Sequence, residues 1–205
     1  MPPRIGLFGG SFNPIHIGHL VAAEGAREAL RLEKVIFIVA GIPPHKSSNL
    51  APATDRLHMV ELAIADNPSF AVSDVEVCRP GPSYTVDTVR AFRQQLGPAA
   101  ELYFIIGGDS VAELPTWRSV REVAELCRII PVTRPGYNYP DPKPLEAALG
   151  ADKAAALYRD AVHIPLLDVS ASDIRWRLRE GRSVRYLVPE AVRNYLLARN
   201  LYRNT

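Results

Sequence analysis

Two imidazoles three residues apart, His16 and His19, follow a glycine pair in the run Gly9-Gly10-Ser11-Phe12-Asn13-Pro14-Ile15-His16-Ile17-Gly18-His19. These residue types suit a chain of phosphates. A glycine turn lets the main chain approach an anion and aim N–H groups at it, and a helix start adds the positive end of its dipole. Histidines at i and i+3 share one helix face and can donate to the same phosphates. Neither half is informative alone, since a Gly-Gly after a strand is usually a turn and a helical His is usually packed or solvated. In register with a strand and a helix start, they point to a nucleotide. The spacing differs from G-x-G-x-x-G, and no acidic residue ends a clear second strand about 20 residues on, which argues against a hydride-transferring dehydrogenase.

The elements that must position these residues can be read from the apolar patterning. Short apolar runs at Arg4 to Phe8, Lys34 to Ala40, Phe70 to Val77, Leu102 to Ile106, Arg128 to Val132 and Val162 to Leu167 read as strands. Between and after them, Ile17 to Leu32, Thr54 to Asp66, Thr85 to Leu96, Val120 to Leu126, Ser172 to Glu180 and Pro189 to Arg199 read as helices. Alternation of this kind predicts an α/β fold: a Rossmann-like, doubly wound parallel sheet with helices on both faces, closed by a small C-terminal helical segment. Residues 1–205 are expected to form one domain, with the helical portion from about residue 170. Ile42 to Pro52 reads as a loop, and the proline-rich Pro135 to Pro144 as an exposed connection or lid. In such sheets ligands bind at the carboxyl ends of the strands, so segments following strands are expected to meet at one edge.

Four further segments stand in that relation to the predicted elements: Pro43-Pro44-His45-Lys46, Ser83-Tyr84-Thr85-Val86-Asp87-Thr88, Ile106-Gly107-Gly108-Asp109 with Thr116-Trp117, and Val169-Ser170-Ala171-Ser172-Asp173-Ile174-Arg175. With them, Gly9 to His19 resembles the G-G-[ST]-F-[DN]-P-x-H-x-G-H signature of bacterial nicotinate-nucleotide adenylyltransferases, members of the H-x-G-H nucleotidylyltransferase superfamily. Five matches in the family's order run through most of the chain. The resemblance implies transfer of the adenylyl group of ATP to nicotinate mononucleotide, releasing pyrophosphate and giving nicotinate adenine dinucleotide for NAD biosynthesis. Nicotinamide mononucleotide or another phosphorylated acceptor is the alternative substrate. The attacking phosphate has its second pKa near 6, so direct in-line attack needs no general base and no covalent intermediate. Catalysis then rests on alignment and on offsetting negative charge.

The resemblance also distributes roles. His16, His19 and Arg175 are the catalytic set. Gly9, Gly10, Ser11 and Phe12 cradle the ATP phosphates with them, Gly107 and Asp109 hold the ribose, and Ser170, Ser172 and Ile174 form the helix start that faces the outer phosphates. Asn13, Lys46, Tyr84, Thr85, Trp117 and Arg134 hold the mononucleotide, the aromatic faces stacking the pyridinium and N–H groups near Thr85 receiving the ring carboxylate. Mg²⁺ is expected to arrive on the ATP phosphates, with no metal-binding cluster in the chain. Ser11, Asn13 and Ala171 depart from the commonest residues of the signatures, which leaves the parts of positions 13 and 171 open.

Composition agrees with a folded domain: 205 residues, 47% hydrophobic, and a net charge of only +2. The longest apolar run, Val35 to Ile42, has eight residues against the roughly 20 of a bilayer span, so no membrane partner is expected. Cys78 and Cys127 fit neither a metal spacing nor a redox pair. A cytoplasmic protein follows, with ATP and nicotinate mononucleotide as partners, no nucleic acid, and room for a homo-oligomer. Charge is uneven, since Asp173 to Thr205 holds eight arginines against three acids. Only Arg175 of these lies inside a motif. His58 and His163 are assigned no function.

Overall fold

The computed structural model describes residues 2–44, 49–133, 136–165 and 167–203. Its strands are β1 (Arg4–Gly10), β2 (Lys34–Val39), β3 (Phe70–Ser73), β4 (Glu101–Gly107), β5 (Arg128–Thr133) and β6 (Val162–His163). They hydrogen-bond in the order β3-β2-β1-β4-β5-β6, and β1–β4, β4–β5 and β5–β6 pair in parallel. This is the doubly wound, Rossmann-like order, whose direction reverses between β1 and β4. The apolar run of β4, Leu102 to Ile106, is buried at every residue, as a strand covered on both faces must be. Register pairs Phe8 with Ile105, each two residues short of the end of its strand.

The helices are α1 (Ile17–Ala29), α2 (Ala53–Ile64), α3 (Thr85–Leu96), α4 (Val120–Leu126), α5 (Pro142–Leu149), α6 (Ala151–Arg159), α7 (Ala171–Arg179) and α8 (Glu190–Ala198). Among the described residues none is long and apolar enough to cross a membrane. Backbone contacts divide the chain into two compact units. The first comprises Met1–Gly9, Ala22–Ile36 and Tyr84–Leu166; the second comprises Gly10–Val21, Phe37–Ser83 and Leu167–Thr205.

Several elements differ from the sequence reading. The expected glycine turn is absent: β1 runs on through Gly9 and Gly10, and the Gly10 carbonyl accepts from the Ala40 N–H at 2.9 Å. Neither glycine has a positive φ; the left-handed residue is Phe12, at φ 43°. What these positions require is space, since a Cβ on Gly9 would stand 2.9 Å from the Phe104 ring and one on Gly10 3.0 Å from that of Phe12. Residues 108–116 form a 3-10 helix, which the Gly-Gly-Asp start and Pro115 concealed. Of the Pro135–Pro144 stretch, Pro135 lies outside the described residues and residues 136–141 form a loop. Pro142 opens α5, where a missing N–H costs nothing, and Asp141 caps it by accepting from the Lys143 N–H at 3.1 Å. Before the cap, Tyr137, Tyr139 and Tyr158 stack edge to face at 5.1 and 4.9 Å, so the segment is pinned. β6 ends after two residues because it pairs with β5 only at Val132 and Thr133.

One close approach in the second unit is decisive for stability. A Cβ on Gly41 would lie 2.3 Å from the Glu76 carbonyl oxygen, which belongs to the backbone and cannot step aside. At Gly107 a Cβ meets nothing within 4 Å. Gly41→Ala is expected to lower the unfolding free energy by at least about 2 kcal/mol in urea titration. Gly107→Ala should leave the transition in place.

Candidate active site

In the second unit the chain turns sharply after β1. Phe12 is buried there, its ring 5.1 Å from that of His19 and 5.7 Å from that of Phe37. His16 stands one residue ahead of α1 and His19 in its first turn, so the two are not both inside the helix as the spacing suggested. Their rings nevertheless stack, with centroids 3.7 Å apart at 25°. The His16 main-chain N–H donates to Nδ1 of His19 at 3.2 Å. That bond makes Nδ1 an acceptor and puts the proton of a neutral His19 ring on Nε2.

His16 is 7% exposed, and its Nδ1 has no hydrogen-bond partner among the described residues. Burial pulls its pKa down to about 4, so the imidazole is neutral at pH 7. Such an orphaned nitrogen is costly in a closed core and suits a site that a polar ligand completes. Gly18 explains the glycine of the His-x-Gly-His run: a Cβ there would lie 3.1 Å from both Nδ1 and Cε1 of His16.

The C-terminal motif reaches the same loop. Ser170 is the N-cap of α7, its Oγ accepting from the Asp173 N–H at 3.1 Å. From the next turn Arg175 donates through Nη1 to the Asn13 carbonyl at 2.8 Å and through Nη2 to Ser172 Oγ at 3.1 Å. No carboxylate among the described residues pairs with Arg175. Ile174 is wholly buried, which leaves only its main chain for a ligand. Asn13, expected on the mononucleotide, spends its amide inside the protein. Its Nδ2 donates to the Asn49 carbonyl at 2.8 Å, while Oδ1 accepts from the Ala51 N–H at 3.0 Å and the Tyr202 hydroxyl at 2.5 Å. The helix start is also less open than expected, because the first N–H of α1, from Ile17, donates to the Leu187 carbonyl at 3.0 Å.

The first unit carries the remaining described positions. Asp109 lies exposed in the first turn of the 3-10 helix that follows Gly107. Tyr84 is the N-cap residue of α3 and Thr85 its first residue, and no side chain caps that helix. The Arg118 guanidinium sits 4.7 Å over the Tyr84 ring. The half-buried Trp117 is held edge-on by Phe104 at 5.9 Å. Lys46 and Arg134 lie outside the described residues. Among those that are described, no three His, Cys, Asp or Glu side chains group to hold a metal ion.

Two residues of the second unit went unread in the sequence. Arg56 is 1% exposed and, among the described residues, bonded only to main-chain carbonyls. The Tyr202 hydroxyl is pushed well above its ordinary pKa by burial. Arg56 did leave a trace, because it occupies the buried stripe of α2 with Met59, Val60 and Ala63, at spacings of three, four and seven. Tyr202 left none.

The buried His16 has a pH consequence. Its proton binds near 6.5 in the unfolded chain but only near 4 in the fold. Below pH 6.5 the unfolded state therefore holds more protons, and stability falls with pH until about 4, by roughly 3 kcal/mol in total. Thermal melts from pH 7 to 4 should show this decline, and His16→Asn should flatten it.

The sequence and the fold have counterparts among known proteins. Residues 7–177 match the cytidylyltransferase-like family model. A "Probable nicotinate-nucleotide adenylyltransferase" of Thermus thermophilus is 48% identical over 200 residues, covering 98% of this chain and 100% of the relative. One of the same name from Moorella thermoacetica is 44% identical, covering 98% and 93%. In fold, the chain superposes on Plasmodium falciparum nicotinic acid mononucleotide adenylyltransferase complexed with NaAD with a TM-score of 0.77, at 18% identity over 99% of this chain and 98% of that one. With identity of this order to bacterial relatives along nearly its whole length, the chain belongs to the nicotinate-nucleotide adenylyltransferase family.

Proposed function

We propose that this protein joins ATP and nicotinate mononucleotide, giving nicotinate adenine dinucleotide and pyrophosphate, as a step of NAD biosynthesis. Family membership names the reaction, and one observation ties it to this site. The unpartnered Nδ1 of His16, buried against the His19 ring, belongs to a polar cluster that lacks a bond. A phosphate ester supplies what is missing.

In this reading the ATP phosphates lie against the loop after β1. His19 donates from Nε2, His16 completes its bonding to a phosphate oxygen, and Arg175 adds a planar fork of donors without a competing acid. These groups align the α-phosphate and offset the charge that passes to pyrophosphate. Mg²⁺ enters with the ATP phosphates. The acceptor's own phosphate is ionised at pH 7, so no side chain need take its proton. Asp109 accepts from ribose hydroxyls. The nicotinate carboxylate is received at the uncapped start of α3, beside Tyr84 and Trp117, where a positive helix end favours an anion over a neutral amide.

Pyrophosphate release with ATP, Mg²⁺ and a panel of phosphorylated acceptors tests the assignment. Nicotinate mononucleotide is expected to exceed nicotinamide mononucleotide in kcat/KM by at least about tenfold, the worth of a charge-assisted hydrogen bond. Equal values would overturn the acceptor assignment. His16→Ala should lower kcat by about two to three orders of magnitude, as loss of a transition-state donor does. A loss confined to ATP affinity would instead mark a nucleotide-binding protein without turnover.

A further inference from the structure

We propose that Arg56 is a positioning residue for adenylyl transfer: its guanidinium gathers main-chain carbonyls from behind the loop after β1, leaving that loop's donors and an unpaired positive charge directed at the ATP phosphates. The inference rests on the reading that ATP binds this loop. The side chain donates through Nε to the Ala51 carbonyl at 2.9 Å and through Nη1 to the carbonyls of Ser11 at 2.8 Å and Ala40 at 2.7 Å. Through Nη2 it reaches the Gly41 carbonyl at 3.0 Å. Four N–H groups of one cation thus serve four backbone oxygens from three stretches of chain, and no carboxylate among the described residues pairs with it.

A buried guanidinium is expensive, and a Leu or Met would fill the same place on the α2 stripe if packing were the only need. What only the fork provides is a direction for these peptides. Carbonyl oxygens left facing a triphosphate would repel it. Held on Arg56, the Ser11 carbonyl points at α2, and the trans peptide sets the following N–H the opposite way. The neighbouring peptides are fixed on both sides, since the Gly41 and Ile42 N–H groups donate to the buried Ser83 Oγ at 2.9 and 3.2 Å. The guanidinium stays protonated and, lacking a counter-ion, adds attraction for phosphate through the loop that it braces.

Steady-state kinetics of Arg56→Lys and Arg56→Met, with inorganic tripolyphosphate as a competitive probe of the phosphate loop and thermal melts alongside, provide the test. Lys keeps the charge but not the fork. In both variants kcat/KM for ATP is expected to fall by about a hundredfold, the scale set by a small misplacement of reacting groups. Tripolyphosphate inhibition should weaken in step, while KM for nicotinate mononucleotide stays within about threefold and the melt remains cooperative. A variant that folds and keeps kcat/KM for ATP within about threefold of the parent overturns the proposal. So does an equal loss toward both substrates, or failure of both variants to fold, either of which marks a purely structural residue. If the parent protein itself makes no dinucleotide, the adenylyltransferase reading fails instead.

Discussion

A loop that offers hydrogen-bond donors to an anion must dispose of its acceptors elsewhere. Each peptide carries one group of each kind, and an unmet carbonyl next to a phosphate is worse than a wasted one. Around residues 10–13 the second unit meets that demand with three partners, one peptide N–H and two guanidinium groups. The Gly10 carbonyl joins the Ala40 N–H, that of Ser11 goes to Arg56, and that of Asn13 goes to Arg175. Helices α2 and α7 thus both brace the loop, and the direction of its peptides follows from side chains far from it in sequence.

The histidine pair is arranged by the same economy of space. Gly18 makes room for the edge of the His16 ring, the ring stacks on His19, and the His16 backbone fixes the tautomer of His19. Changing one of these residues disturbs the others, because the group that burial deprives of a partner is the one the ligand meets. A neutral His16 also means that this ring adds no charge of its own to the cluster at pH 7.

Much of this was legible from residue types and spacing. The alternation of apolar runs located all six strands, because parallel strands are buried on both sides and stand out as continuous apolar segments. The resemblance in Gly9 to His19 and Ser170 to Arg175 pointed to groups that the fold brings to one loop, although 162 residues separate Asn13 from Arg175. The misses have physical reasons. Gly9 and Gly10 read as a turn, but aromatic rings claim their missing side chains, and a ring's position depends on tertiary packing. Prolines 142 and 144 read as loop, although the first turn of a helix tolerates them. The partners of the Asn13 amide, Asn49, Ala51 and Tyr202, went unread because no local pattern identifies them.

The Tyr202 hydroxyl reaches Asn13 across 189 residues of sequence. During synthesis the partners at Asn49 and Ala51 emerge long before the tyrosine does, so the loop leaves the ribosome with its amide only partly matched and relies on water for the remaining bond until residue 202 has been made. Nucleotide affinity should then arise in a step rather than growing with chain length, and nascent fragments that already contain the six described strands would still lack the tyrosine that completes the seating of the loop.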